Sequence, residues 1–170
     1  MRRSGSKKRI ENAVRVPRKL KGFTEARDYA YRLLGYRARS CWEIRERMKR
    51  RGISEETAGE VVEHLKKLDY LNDEEFACAW VREILRSRPS GETMLKAELR
   101  KKGIDEQTAD KAVSDALGVN PEEDLLNGVV EHLKKKYRGI ERIKRKKRIY
   151  DSLRRRGFRH ELIYDAIREL

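Results

Sequence analysis

Apolar residues recur along this chain with a helical period. From Phe76 onward, Phe76, Ala77, Trp80, Val81, Ile84 and Leu85 fall at i, i+1, i+4, i+5, i+8 and i+9. That spacing predicts an amphipathic helix with a wide apolar stripe. A preceding helix ends near Asp69. After a short turn, Asp73 is placed to cap the new helix, its carboxylate accepting from backbone N–H groups that have no intrahelical partner. No stretch alternates with period two for long enough to predict a strand.

The same helix-turn-helix grammar returns at intervals of roughly fifty residues, the signature of an internal repeat. Its clearest segment occurs three times: Met48-Lys49-Arg50-Arg51-Gly52-Ile53, Leu99-Arg100-Lys101-Lys102-Gly103-Ile104 and Leu153-Arg154-Arg155-Arg156-Gly157-Phe158. Eight residues before the glycines stand Ile44, Leu95 and Ile149, and four before them Met48, Leu99 and Leu153. These pairs mark the buried edge of a short second helix in each repeat. Gly52, Gly103 and Gly157 follow the last helical residue, where a left-handed conformation closes a helix, and the Ile or Phe after each packs back on it. Three cations in the last turn complement the negative end of the helix dipole.

A third helix follows each glycine, capped by Ser54 in the first repeat and Asp105 in the second. Its apolar positions are Ala58, Val61, Val62, Leu65 and Leu68, then Ala109, Ala112, Val113, Ala116 and Leu117, then Leu162, Ile163, Ala166, Ile167 and Leu170. First helices are predicted over residues 24–34 and 73–87, and from Pro121, which takes the first helical position behind Asn120. Ser40 with Glu43 reads as a capping box. The expected fold is all-α: tandem three-helix repeats forming an elongated, curved helical array. Its units span residues 24–71, 72–119 and 120–170, after a basic, disordered tail at 1–23. Units this small bury little surface alone, and neighbours are expected to support one another.

Charge narrows the function. The 170 residues carry a formal +14, and 42% of them are charged. Such an excess favours polyanionic partners, because each neutralised phosphate releases condensed counterions. Residues 1–22 hold a net +8, including Arg2, Arg3, Lys7, Lys8 and Arg9, and serve either as a nucleic-acid-binding arm or as a solubilising extension. The three repeats carry +2, −2 and +6. With the apolar pairs as reference and roughly 100° per residue, Arg50, Lys101 and Arg155 occupy equivalent outward positions. Lys144, Arg148 and Arg155 form one outward stripe beside Asp151 in the third repeat. Lys144, Arg145, Lys147, Arg148, Arg154 and Arg155 make this repeat the leading candidate for phosphate contact. The competing reading is an ordinary solvated face. Lys146 falls on the apolar side, so that helix is expected to be exposed or poorly packed at its start. Trp80 is expected in the core, and Trp42 is divided between packing and a partner contact.

Catalytic chemistry finds little support. His64, His132 and His160 lack ligand spacing, and no phosphate loop or nucleophile elbow is present. Cys41 and Cys78 read as small apolar residues. No cofactor, metal or membrane span is expected, and no signal-peptide core follows the basic start. The expectation is a non-enzymatic, cytoplasmic monomer.

The run from Leu65 to Val81, with Tyr70, Leu71, Phe76, Ala77 and Trp80, resembles the most distinctive segment of the RecX family, bacterial regulators of the RecA recombinase. The resemblance continues through Leu95–Ile104, and upstream through Ala30–Leu34 and Ser40–Ile44. One departure is Asp69, where glycine is expected; Asp tolerates the left-handed conformation better than most residues. The resemblance implies binding along the filament of RecA on single-stranded DNA, and restraint of its ATPase and strand exchange. Duplex DNA is a further possible partner. Tyr70, Leu71, Asp73, Phe76, Ala77, Trp80 and the three glycines read as fold determinants. The alternative is a stand-alone DNA-binding protein built of helix-turn-helix units, which requires side chains suited to base edges. The second helices offer repeated Lys and Arg instead, which suits phosphate contact.

Overall fold

A computed structural model describes residues 20–119, 121–168 and 170, which form nine α-helices and no strand. They fall into three units: α1 (Gly22–Tyr36), α2 (Cys41–Lys49) and α3 (Glu55–Lys67); α4 (Asp73–Ser87), α5 (Glu92–Lys101) and α6 (Glu106–Val119); α7 (Glu122–Lys136), α8 (Arg142–Arg155) and α9 (His160–Arg168). Each unit has its own core. Ala30, Ile44, Met48, Val61 and Leu65 fill the first, Phe76, Ala77, Val81, Leu95 and Leu99 the second, and Leu126, Ile149, Leu153 and Ile163 the third. All extensive helix-on-helix packing lies within a unit. Neighbouring units therefore meet at helix ends rather than across broad faces.

The repeated glycines close the second helices as expected. Gly52, Gly103 and Gly157 have φ of 83°, 71° and 74°. After each, the Ile or Phe N–H returns to the carbonyl of the apolar residue four before the glycine: Ile53 to Met48, Ile104 to Leu99 and Phe158 to Leu153, at 3.2, 3.2 and 3.4 Å. This is a Schellman closure, and Ile53, Ile104 and Phe158 are buried on the helix just left. Asp69 takes the same role after α3 at φ 57°, with the Tyr70 N–H bonded to the Leu65 carbonyl at 2.9 Å.

Some local expectations are corrected. Asn72 caps α4, accepting from Glu74 and Glu75 N–H at 3.0 and 3.2 Å. Asp73 is the first helical residue, and its carboxylate reaches into the first unit to accept from the Cys41 N–H at 2.9 Å. Either residue type can cap, and only the tertiary contact assigns the roles. Ser40 caps α2 through the Glu43 N–H, but Glu43 does not return the bond, because Arg37 and Lys102 hold its carboxylate. Pro121 stands at the cap position of α7 with extended ψ rather than inside the helix; Asn120 lies outside the described residues. Leu68 ends up at the C-cap of α3, half exposed rather than on the buried face. The folded chain starts before Thr24: Leu20 is buried and its N–H donates to the Arg51 carbonyl at 2.9 Å.

The joints between units follow one plan. The N-terminus of α2 sits against the glycine end of α5, where Ser40 Oγ donates to the Lys102 carbonyl at 2.5 Å. In the same way α5 begins against the glycine end of α8, where the Gly91 N–H donates to the Arg156 carbonyl at 2.9 Å and Thr93 to Gly157 at 3.1 Å. The second helices are thus strung head to tail, each positive end meeting the negative end of the next, an arrangement their dipoles favour. The carbonyl before the glycine is occupied in all three units, by Leu20 in the first.

An acid at the start of each following first helix locks these joints. Asp73 does so for the first pair. For the second, Glu122 accepts from the Glu92 N–H at 3.2 Å, the Arg159 N–H at 3.0 Å and Arg159 Nε at 2.7 Å. Glu122 is only 4% exposed, and these donors satisfy a carboxylate that burial would otherwise penalise. At the first joint, burial pushes the Glu43 carboxyl up, but the hydrogen bonds from Arg37 and Lys102 outweigh it and bring its pKa to about 2. Burial, reinforced by Asp73, pushes the Cys41 thiol up to about 12, which leaves it an unreactive packing group.

Candidate nucleic-acid and partner interface

The basic residues singled out in the third unit do not form one surface. Counting around α8 from Ile149 and Leu153, Lys144, Arg148 and Arg155 lie along one outward flank and Lys147 and Arg154 along the other, with Asp151 between them. All five are exposed. Arg148 rests on the Tyr137 ring, 5.8 Å from its centroid. Arg145 is half buried, and its Nε is enclosed without a hydrogen-bond partner, so it faces the body of the unit. Lys146 does not leave the helix start unpacked. Its Nζ donates to the Arg168 carbonyl at 3.3 Å, while Arg142 Nε donates to the Leu170 carbonyl at 2.7 Å. Both cations thereby serve the C-terminal end of α9, where carbonyls lack helical partners.

Arg50 at the C-cap of α2 and Lys101 at the end of α5 are exposed, as the periodicity predicts. Lys101 is held by Glu98 at 2.8 Å, an i,i+3 pair on the same helix. Its charge is therefore partly compensated, whereas no ion pair engages Arg50, Lys144, Lys147, Arg154 or Arg155 among the described residues. Arg2, Arg3, Lys7, Lys8 and Arg9 lie outside the described residues.

The tryptophans also find places. Trp42 is 45% exposed, yet its Cβ and Cγ cover Gly103 at the joint, so packing is its role there. Trp80 stacks on Phe76 at 5.9 Å at the rim of the second core, with Lys102 Nζ 4.3 Å above its ring. Tyr70 is 57% exposed and meets Tyr31 edge-on at 5.0 Å; Leu71 is buried in the first core.

One feature of the third unit escaped the sequence reading. Tyr150 on α8, His160 at the start of α9 and Tyr164 one turn later form a row of edge-to-face rings, with successive centroids 5.9 Å apart. The signal was partly present. Ile143, Lys147, Tyr150 and Arg154 are spaced 4, 3 and 4, and His160, Tyr164 and Arg168 are spaced 4 and 4, one stripe on each helix. Their adjacency depends on how α9 packs against α8, which no local period reveals.

Among the described residues, no cluster of three or more His, Cys, Asp or Glu is arranged to hold a metal ion. A groove of about 720 Å³ beside α4 and α6 is lined by Cys78, Leu85, Ala112 and Ala116, with Arg82, Arg86 and Asp115 at its sides. No described helix is long and apolar enough to cross a membrane.

Comparison with known proteins agrees with this architecture unit by unit. Family models described as the first, second and third three-helix domains of RecX match residues 26–65, 72–113 and 122–167. The regulatory protein RecX of Bacillus licheniformis is 33% identical over 152 residues, covering 88% of this chain and 55% of that protein. The chain thus spans about half the length of that relative. The regulatory protein RecX of Prosthecochloris aestuarii is 34% identical, with 81% of this chain and 87% of the relative covered. The crystal structure of RecX from Lactobacillus salivarius superposes with a TM-score of 0.77 at 26% identity, over 87% of this chain and 96% of that one. Three helical units joined end to end, each matched in order by its own domain model, place the chain in the RecX family of regulatory proteins.

Proposed function

We propose that this protein regulates the RecA recombinase by binding along the RecA–single-stranded-DNA filament, restraining ATP hydrolysis and strand exchange without catalysing a reaction itself. Membership of a family of regulatory proteins supports the regulatory part. The observation that carries the rest is the head-to-tail joining of α2, α5 and α8. It sets three small cores end to end, a form suited to a repeating partner and unsuited to enclosing a small molecule. The uneven charge, +6 on residues 121–170 against −2 on 72–120, divides the labour. The third unit contacts phosphate, and the first two face mainly protein. The setting is the cytoplasm, and the working form is a monomer.

The test is ATPase inhibition measured beside affinity for naked single-stranded DNA, each over a salt series. Reversing Lys144, Arg148 and Arg155 to Glu should weaken DNA binding strongly and inhibition measurably. Arg50→Glu with Lys101→Glu should reduce inhibition more than DNA affinity. A parent protein that binds DNA but leaves RecA turnover untouched would replace this reading with that of a stand-alone DNA-binding protein.

A further inference from the structure

We propose that the row Tyr150–His160–Tyr164 between α8 and α9 is a stacking platform for unpaired nucleobases, with Lys147, Arg154 and Arg168 receiving the adjoining phosphates. The inference rests on the proposed contact with DNA and names the residues and the form of nucleic acid involved.

Three observations carry it. First, the rings are on the outside. Tyr164 is 64% exposed, His160 is exposed, and Ile143, at the far end of the α8 stripe, is 76% exposed. The third core is closed beneath them by Ile149, Leu153, Ile163 and Ile167, with Tyr150 packed at its edge, so the unit does not need the His160 and Tyr164 rings to exclude water. Second, the row is fixed. Tyr150 packs partly on that core, its hydroxyl lies 3.4 Å from His160 Nδ1, and His160 meets both tyrosines edge-on. A platform held in this way loses little side-chain freedom when a base arrives. Third, cations border the row. Lys147 and Arg154 flank Tyr150 one turn away on either side, about 10 Å apart along the helix. Arg168 follows Tyr164 by one turn. All three are exposed, and no ion pair engages them among the described residues. Glu161 and Asp165 are also exposed on α9; each is turned by about 100° from the ring residue before it, toward solvent, with Arg168 between them and the rings.

Aromatic faces between free cations are the elements with which proteins hold single strands without reading sequence. A duplex hides the faces of its bases, so the platform confers a preference for unpaired DNA that the charge stripe Lys144–Arg148–Arg155 cannot. An acidic protein could meet the cations, but a continuous row of rings with cations along its edges matches bases beside a phosphate backbone better.

The test compares three labelled ligands by fluorescence anisotropy: an oligothymidine, an abasic oligomer of equal length and charge, and a duplex. The parent should bind oligothymidine about tenfold more tightly than the abasic strand, the scale of a base–aromatic stack. The double variant H160A/Y164A should lose that ratio while holding the abasic strand as before, and Tyr164→Phe, which keeps the ring, should retain it. Thermal melting of the variants checks the fold, and Tyr150 is left intact because it packs on the core. The proposal is overturned if the parent shows no preference for base-bearing strands, or if the preference survives in H160A/Y164A. It is equally overturned if that variant weakens all three ligands alike, or weakens only binding to protein. Absence of binding to any of the oligomers would remove the DNA-contact reading itself, and the platform with it.

Discussion

Trp42 lies across Gly103 so closely that a Cβ added to the glycine would stand 2.3 Å from both Cβ and Cγ of the indole side chain. The two residues belong to different units, and Gly103 also holds φ 71°. One glycine therefore closes α5 and admits the start of α2.

Gly103→Val should lower stability by about 2 kcal/mol or more, since the left-handed backbone alone costs roughly 1–2 kcal/mol for an L-residue. The overlap with Trp42 adds to that. Gly103→Ala should cost less when Trp42 is already Ala, a coupling readable in a double-mutant cycle by urea unfolding. Strict additivity would mean that the joint does not close on this pair.

Asp69 is the only non-glycine at positive φ among the described residues, at 57°. Asp69→Gly should raise stability by about 0.5–1 kcal/mol by relieving the left-handed strain. The melting temperature should rise by a few degrees, and a fall would show that the Asp side chain contributes more than its backbone costs.

Glu122 is buried among three donors, one from the start of α5 and two from Arg159 just before α9. Glu122→Ala should cost about 3 kcal/mol, because truncation leaves two backbone N–H groups and one face of Arg159 unpaired. Glu122→Gln keeps an acceptor and should cost about half as much. Denaturant midpoints measure both, and an unchanged midpoint for the alanine variant would show that the joint does not depend on this carboxylate.

Glu43 has its pKa depressed from 4.5 to about 2 by Arg37 and Lys102 against the opposing effect of burial. A folded-state pKa below the unfolded one means that its stabilisation is complete above about pH 4.5 and is lost as pH falls toward 2. Glu43→Gln should be less stable than the parent by on the order of 1 kcal/mol at neutral pH. The gap should close between pH 4.5 and 2. A gap constant over that range would sever the link to this carboxylate.

Removing residues 1–19 takes away a net +7 but leaves Leu20 and its bond to Arg51. The salt dependence of single-strand binding should become shallower by up to about 5 in log–log slope, at ~0.7 per phosphate contacted. Melting should stay the same for this deletion and drop when the cut is moved past Lys21, which takes Leu20 out of the first core. An unaltered slope would assign the tail to solubility.

The sequence by itself determined the number of units, the helix type of every element and the apolar faces of α2, α5 and α8. These depend on period, capping residues and the conformational needs of Gly52, Gly103 and Gly157, all written within a few residues of one another. It also carried the family, through the run from Leu65 to Val81, and the exposure of Lys144, Arg148 and Arg155. Only the tertiary structure decided what happens between units and between helices. Asp73 and Asn72 are equally good caps, and the choice falls to Asn72 because Asp73 is drawn to Cys41 across the joint. Glu43 suits a capping box, and it is taken by Lys102, 59 residues away. Arg145 and Lys146 look like members of one basic run, yet the first turns inward and the second meets the end of α9. Tyr150, His160 and Tyr164 become a row only when α9 lies against α8. The physical reason is common to all four. Local backbone needs are satisfied by near neighbours, but a charged or aromatic side chain of several carbons can choose among partners that only the packed chain brings within reach.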